Sequence, residues 1–182
     1  MNQNTVKQEL RERLRRERRQ KFITSNFNII LKSPEIIAAT TIASYISYEV
    51  EPSTAEINNA FLAAGKRLLL PRVNGEVLEW IQWDGDDRQL KITKKLSEPI
   101  GQPVTDLDAI DVMVVPALHI DNHGYRLGQG GGFYDRALAV LPGWKIGLVH
   151  AGELTSQSLP RERHDIPLDA AATPSVVVRF KH

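Results

Sequence analysis

Apolar and polar positions along the chain follow two different periods, one typical of helices and one typical of strands. In the N-terminal segment, apolar residues recur four positions apart at Val6, Leu10 and Leu14. This spacing predicts one amphipathic helix from residue 5 to about residue 31. Pro34 then breaks the pattern and opens a short second helix.

Short runs rich in β-branched and aromatic residues predict the strands that follow. The first run covers residues 41–47 and the next covers residues 66–73. Between them a helix is predicted to start at a capping box formed by Ser53 and Glu56 and to end at Gly65. A strand–helix–strand unit of this kind implies parallel pairing of its two strands.

The second half of the chain continues the alternation of strands and helices. Residues 84–108 and 119–132 show no regular pattern and are predicted to be loops. The predicted elements around them are an edge strand at 76–83, a buried strand at 110–115, a helix at 133–141 and strands at 145–149, 170–173 and 175–180.

This order of elements predicts an α/β fold. We expect a single domain spanning residues 1–182, with an open, mostly parallel sheet and helices on both faces, that is, three α/β/α layers. Ligands of such sheets bind beyond the carboxyl ends of the strands. The loop after Val115 lies at such an end, and it is therefore the first candidate site.

The amino-acid composition is typical of a globular protein and excludes several kinds of site. The 182 residues are 42% apolar and 25% charged and include no cysteine, which excludes disulfides and thiolate metal sites. The sequence shows neither a signal peptide nor a run of 18 apolar residues, so we expect a cytoplasmic protein without a membrane partner.

The charge is concentrated at one end of the chain. Eight Lys and Arg residues but only three Glu residues lie between Lys7 and Lys21. Such a segment suggests a polyanionic partner, and nucleic acid, nucleotide phosphates or a polyglutamate tail would all qualify. Lys7 and Arg11 share one helix face and can reach a common ligand, whereas most arginines between Arg13 and Arg19 are expected to form a solvated face.

The strongest chemical signal is a glycine-rich segment directly before a predicted helix. Four of the five residues from Gly128 to Gly132 are glycine. Free amide groups in such a segment form an anion-binding nest that the helix N-terminus reinforces. Arg126 and Arg136 flank it as candidate phosphate clamps, and Asp135 is placed to hold a magnesium ion shared with the phosphates.

Two common nucleotide motifs are absent from this segment. The pattern G-x-x-x-x-G-K-[ST] does not occur, and G-x-G-x-x-G fails because Phe133 stands three residues after Gly130. Neither a P-loop nor a dinucleotide fold is therefore supported. The alternative without a ligand is a flexible loop whose glycines only make tight turns.

The whole segment resembles a known family. The 5-formyltetrahydrofolate cyclo-ligase family carries the pattern LVPxxxFDxxGxRLGxGxGxYDR, and this chain reads VPALHIDNHGYRLGQGGGFYDR from Val115 to Arg136. Further similarity covers nearly the whole chain. It includes Lys7 to Arg11 (K-x-x-L-R), the stretch from Tyr45 to Thr54, and the stretch from Leu159 through Asp165 to Pro174.

The resemblance implies the activity and the site. It implies cyclisation of 5-formyltetrahydrofolate to 5,10-methenyltetrahydrofolate with Mg²⁺ and with ATP as co-substrate, in an open α/β/α sheet. We separately expect a monomer without a nucleic-acid partner. ATP would contact Lys7, Gln8, Glu9, Leu10, Arg11, Arg126, Leu127, Gly128, Gln129, Gly130, Gly131, Gly132, Phe133 and Tyr134. The folate would contact Ile46, Glu51, Gln129, Gly130, Gly131, Gly132 and Phe133.

The resemblance also implies the metal ligands and the catalytic side chains. Asp135 and Asp165 would hold magnesium, and Arg126, Arg136 and Tyr134 would act in catalysis. The formyl oxygen would attack the γ-phosphate of ATP, N10 would close the ring, and phosphate would leave. The protein would contribute positioning and charge stabilisation rather than a covalent nucleophile.

Structural roles compete with some of these assignments. Asp165 can instead cap a turn before Pro167. Trp80, Trp83, Tyr45 and Tyr48 are expected to pack in the core or at an edge rather than stack on a pterin. His119 and His123 flank Asp121, but a lone pair of this kind in a loop is expected to face solvent.

Two other functions remain open at this point. A nucleic-acid-binding module would use the basic helix, but it would leave the glycine-rich segment unexplained. A sugar-phosphate isomerase or CoA-transferase-like enzyme on a similar sheet would not require ATP.

Overall fold

The computed structural model describes residues 3–21, 25–94 and 96–181. Its helices are α1 (Gln3–Gln20), α2 (Pro34–Ala38), α3 (Ala55–Ala63) and α4 (Phe133–Val140). Its strands are β1 (Thr41–Ala43), β2 (Arg67–Asn74), β3 (Val77–Trp83), β4 (Leu90–Thr93), β5 (Leu96–Pro99), β6 (Val112–Pro116), β7 (His119–Asp121), β8 (Arg126–Leu127), β9 (Trp144–Leu148), β10 (Leu154–Thr155), β11 (Ala170–Ala172) and β12 (Val177–Arg179). Within the described ranges, no helix has the length and apolar character needed to cross a bilayer.

A seven-stranded sheet organises the molecule, with the strand order β12-β11-β9-β6-β1-β2-β3. The five central strands pair in parallel, including β1 with β2 as the strand–helix–strand unit predicts. The outermost strands β3 and β12 pair antiparallel with their neighbours. The predicted α/β class with a mostly parallel sheet is confirmed.

Both faces of this sheet are buried, and successive residues of one strand serve opposite faces. Leu68 and Leu70 of β2 pack with Phe61 of α3, in a core that α2 also joins. Leu69 between them packs with Leu138 of α4 on the other face. Because both faces are buried, nearly every position of such a parallel strand is apolar, and the strand appears in the sequence as a continuous apolar run.

The N-terminal helix is shorter than the predicted one. α1 ends at Gln20, and residues 28–32 form a separate 3-10 turn, so a continuous helix to residue 31 is wrong; residues 22–24 lie outside the described part. The predicted apolar stripe of α1 is confirmed at Leu10 and Leu14, which pack against the buried Leu118 and Leu127.

Three further details of the prediction differ. Strands β7 and β8 lie in the segment 119–132, and the hairpin β4–β5 lies in 84–108, although both segments were predicted to be loops. The capping box is also wrong. The N-cap of α3 is Thr54, and its hydroxyl donates to the carbonyl of Tyr45 (2.6 Å) instead of capping the helix.

Candidate active site at the carboxyl ends of the strands

A cavity of about 420 Å³ opens where β1, β2 and β6 end. Its walls come from the segment after β1, from Pro71 of β2 and from Pro116 of β6, and the glycine-rich segment closes one side. This is the edge at which α/β sheets bind ligands. The sequence-based choice of the loop after Val115 is therefore consistent with the position of the cavity.

The glycine-rich segment connects β8 to α4, and its glycines have separate structural reasons. Gly132 is the N-cap of α4 with φ of 68°, and Gly130 has φ of 104°, both in the region that favours glycine. At Gly128 the reason is space, because a Cβ atom there would overlap the guanidinium of Arg126.

Arg126 lies at the centre of the site. Its side chain is 3% exposed, and Nη2 donates to the carboxylate of Asp135 at 2.7 Å. Burial lowers the pKa of Arg126, and Asp135 offsets this in part. Nε is buried and has no hydrogen-bond partner within the described part of the chain. A buried guanidinium with an unused donor beside a cavity is suited to an anionic ligand.

Arg136 has a different environment. It is exposed, its Nε donates to the carbonyl of Glu76 (2.6 Å), and its Nη2 donates to the carbonyl of Gly131 (3.1 Å). The guanidinium also lies 5.2 Å from the ring centre of Phe133. Arg136 is thus in contact with the glycine-rich segment from outside, whereas Arg126 lines the cavity.

Two arginines of α1 dock onto the glycine-rich segment. Arg11 donates to the carbonyl of Gly128 at 3.0 Å, and Arg15 donates to both the carbonyl and the side chain of Gln129. Both arginines line the cavity. The basic helix thus directs two of its cations at the candidate phosphate site.

Lys7 is buried rather than free in the cavity. Its Nζ lies 2.8 Å from Glu162 and 2.7 Å from Asp165. Burial by itself lowers the pKa of Lys7, but the two carboxylates together outweigh burial and the pKa is raised. Of the other residues in this stretch, Gln8 and Glu9 are exposed and Leu10 packs in the apolar cluster of α1.

The two predicted metal ligands are each paired with a cation. Asp135 is bonded to Arg126 and Asp165 to Lys7, and Asp165 also accepts from the backbone amide of Glu162 (2.7 Å), as a turn cap would. Glu162, His164 and Asp165 bring ligand atoms within 4.8 Å of one another. Carboxylate oxygens are the donors that Mg²⁺ prefers, so Glu162 and Asp165 fit the ion chemically. Asp135 is not part of this cluster.

Two of the predicted folate contacts lie outside the glycine-rich segment, in the segment after β1. These two residues, Ile46 and Glu51, both line the cavity. Burial raises the pKa of Glu51, although its carboxylate accepts from the backbone amide of Tyr48 (3.0 Å) and is bonded to Gln129. A half-buried carboxylate of this kind is suited to paired N–H donors.

The aromatic residues divide into core and cavity positions. Trp80 and Trp83 are buried in the core as predicted. Tyr45 and Tyr134 are largely enclosed but also line the cavity, and burial raises the pKa of both hydroxyls. Both phenols therefore stay protonated near neutral pH and can donate hydrogen bonds.

Sequence reasoning missed Arg18 as a buried residue. Its side chain is 3% exposed, pairs with Glu153 (2.6 Å) and donates to the carbonyl of Ala117 (2.8 Å). Arg18 therefore does not belong to the predicted solvated face. Its position could have indicated burial, because Arg18 lies four residues after Leu14 and so continues the buried helix face of Leu10 and Leu14.

Asp121 is the second buried group that the sequence did not single out for a structural role. It is fully buried, accepts from the amides of His123, Tyr125 and Leu159, and pairs with Arg161 at 3.1 Å. These bonds join the β7–β8 hairpin, which precedes the glycine-rich segment, to the segment that carries Asp165. No cluster of potential metal ligands within the described ranges includes either flanking histidine.

Comparison with known proteins identifies the family. The chain matches the model of the 5-formyltetrahydrofolate cyclo-ligase family over residues 3–174. It belongs to this family. The cyclo-ligase of Escherichia coli (strain K12) is 34% identical over 153 residues, covering 79% of this chain and 83% of the relative. That of Mycolicibacterium smegmatis is 31% identical and covers 76% of this chain and 75% of the relative.

Solved structures agree with this membership. The NMR structure of Aquifex aeolicus 5,10-methenyltetrahydrofolate synthetase has a TM-score of 0.81 and 27% identity, covering 97% of this chain and 94% of its own. The synthetase from Mycoplasma pneumoniae, at 20% identity and a TM-score of 0.63, shows the shared fold. The protein is therefore an enzyme of the cyclo-ligase family, as the sequence resemblance implied.

Proposed function

We propose that the protein cyclises 5-formyltetrahydrofolate to 5,10-methenyltetrahydrofolate and converts ATP to ADP and phosphate in the process. The formyl oxygen attacks the γ-phosphorus and ADP leaves, which gives an imidate phosphate. N10 then attacks the activated carbon and loses its proton, the five-membered ring closes, and phosphate leaves. Family membership and the names of the relatives support this reaction.

The observation that carries the proposal is the environment of Arg126. A buried guanidinium with one unpartnered N–H lines the cavity beside the glycine-rich segment. Phosphoryl transfer needs positioning and charge stabilisation rather than a protein nucleophile. Arg126 meets this need, because its planar donors match phosphate oxygens and its charge is poorly solvated by water.

The proposed nucleotide site combines two parts of the chain. The amides of residues 128–132 and the N-terminus of α4 bind the phosphates. Residues 7–11 of α1 and residues 126–134 contact the rest of the nucleotide. Arg11 is positioned for this by its bond to Gly128, whereas Lys7 acts from its pair with Asp165.

Magnesium is proposed to bind at Asp135 and Asp165. When bound, the ion supplies charge neutralisation on the phosphate oxygens. The carboxylates themselves have a second task, because each also holds a cation of the site in place, Arg126 and Lys7 respectively.

The folate is proposed to contact Ile46, Glu51 and residues 129–133. Glu51 would accept hydrogen bonds from a pterin N–H, which requires its ionised form. Tyr134 would donate from its protonated hydroxyl, and Arg126 and Arg136 would offset charge on the transferring group. Monomeric state, a cytoplasmic location and the absence of nucleic-acid or membrane partners also belong to this proposal.

The test is a turnover assay. The protein is mixed with 5-formyltetrahydrofolate and Mg-ATP, and the near-ultraviolet absorbance of the methenyl product is followed together with ADP release. We expect equal amounts of both products and none when ATP is omitted. A folded protein that forms no product overturns the proposal, and product without ATP would indicate a different enzyme class.

A further inference from the structure

The turn that carries Glu51 needs an external support. Within the turn, the Glu51 amide donates to the carbonyl of Tyr48 (3.0 Å), and the Tyr48 amide donates to the Glu51 carboxylate (3.0 Å). Glu49 has φ of 49°, a strained conformation for this residue type. A turn with internal bonds and local strain keeps one geometry only if its surroundings hold it.

His150 provides such a support from outside the turn. Its Nε2 lies 2.9 Å from the carbonyl oxygen of Val50, the residue before Glu51. A carbonyl only accepts, so Nε2 carries the proton and donates. The imidazole also packs on Phe27, with ring centres 6.4 Å apart. Val50 and Glu51 line the cavity, and His150 is not among its lining residues.

His150 is itself fixed to the body of the site. Its backbone amide donates to the Glu153 carboxylate (2.7 Å), and the Glu153 amide donates back to the His150 carbonyl (3.0 Å). The same carboxylate holds Arg18 of α1 through two bonds of 2.8 Å and 2.6 Å. The carbonyl of Val50 is thus connected by hydrogen bonds to the helix that carries the proposed nucleotide contacts.

We propose that His150 is a positioning residue for the folate-side carboxylate, acting through the carbonyl of Val50 on the turn that carries Glu51. The inference rests on the proposed function, because its kinetic consequence is defined for the folate substrate. Its structural part, anchoring of the turn, is independent of any substrate.

Three variants separate anchoring from general stability. His150→Phe keeps a ring against Phe27 and removes the donor, whereas His150→Gln restores an N–H of similar reach. His123→Gln is the matched control, because His123 is exposed and its ring makes no contact with the cavity within the described residues. Thermal unfolding confirms that each variant is folded.

The first measurement is amide hydrogen exchange without substrates. We expect the Glu51 amide to exchange about fivefold faster in His150→Phe, the effect of losing one hydrogen bond of ordinary strength. His150→Gln is expected to restore most of the protection. Unchanged exchange in His150→Phe overturns the anchoring.

The second measurement is steady-state kinetics. We expect His150→Phe to raise the KM for 5-formyltetrahydrofolate about fivefold, with the KM for ATP unchanged and recovery in His150→Gln. In a Glu51→Gln background, His150→Phe should add nothing, because the residue acts through Glu51. Additive effects, or an equal rise in both KM values, overturn the positioning role.

The two failures are distinguishable. If the wild-type protein forms no methenyl product, the proposed function fails while the exchange experiment still decides the anchoring. If wild type and His123→Gln turn over normally and His150→Phe matches them in exchange and in KM, the proposed function stands and this inference fails.

Discussion

Lys7 Nζ lies 2.7 Å from a carboxylate oxygen of Asp165, although 158 positions separate the two residues. The resemblance assigned Lys7 to the nucleotide and Asp165 to magnesium. In the structure each is the other's partner, so a nucleotide and a divalent cation arriving here meet a pre-formed ion pair rather than two free groups.

The first prediction compares the two arginines that flank the glycine-rich segment. Arg126→Lys removes the planar fork from a buried position, and we expect kcat/KM to fall about 10²- to 10³-fold. Arg136→Lys should cost less than about tenfold, because Arg136 is exposed and its donors already bond to backbone carbonyls. Turnover assays on both variants measure this. Equal losses would contradict the prediction and show that Arg136 contributes as much charge stabilisation as Arg126.

The second prediction concerns magnesium. Asp135→Asn should raise the Mg²⁺ concentration needed for half-maximal rate sharply, by about tenfold or more, since a carboxylate ligand becomes a neutral amide. Asp108→Asn, at an exposed position, is the control. Titration of the initial rate with Mg²⁺ at fixed ATP gives the answer. A curve that coincides with wild type would remove Asp135 from the proposed ligands.

The third prediction uses the raised pKa of Glu51. Because burial raises this pKa, the folded protein holds a proton at pH values where an unfolded glutamate has released it. The carboxylate therefore lowers stability above the raised pKa, and the loss disappears as the pH falls below the ordinary value of 4.5. Glu51→Gln should raise Tm by a few degrees at neutral pH but not near pH 4.

The same substitution should weaken folate binding. Loss of a charged acceptor raises the KM for 5-formyltetrahydrofolate by about 10- to 100-fold. Glu12→Gln is the control, because Glu12 is exposed and does not line the cavity. Thermal melts at both pH values and folate titrations measure the two effects. A variant that is less stable at neutral pH would contradict the burial argument.

The fourth prediction tests the buried arginine of α1. Arg18→Met leaves the Glu153 carboxylate without its cation, and we expect a loss of about 3–5 kcal/mol in the free energy of unfolding. Arg13→Met on the same helix should change stability by no more than about 0.5 kcal/mol, since Arg13 pairs with Glu17 at the surface. Urea denaturation of both variants measures these changes in the free energy of unfolding. Similar losses in the two variants would contradict the difference expected between a buried and a surface ion pair.

The central sheet was predictable because its signal is local. Within the predicted runs 66–73 and 110–115, residues 68–71 and 112–115 are apolar at every position, which identifies strands buried on both faces. The hairpin β4–β5 was not predictable, because its strands are short and partly exposed, with Ile92 80% exposed. Its apolar positions carry no period that separates it from a loop.

The sequence by itself determined the fold class and the glycine-rich segment with Arg126 and Asp135, since glycine spacing and apolar periodicity are properties of neighbouring residues. Only the tertiary structure decided which charges meet. It buried Lys7 against Asp165, turned Arg18 inward onto Glu153 and brought His150 to the carbonyl of Val50. These pairs join residues 100 or more positions apart, and the energy of a charge depends on burial and partners that only the packed chain provides.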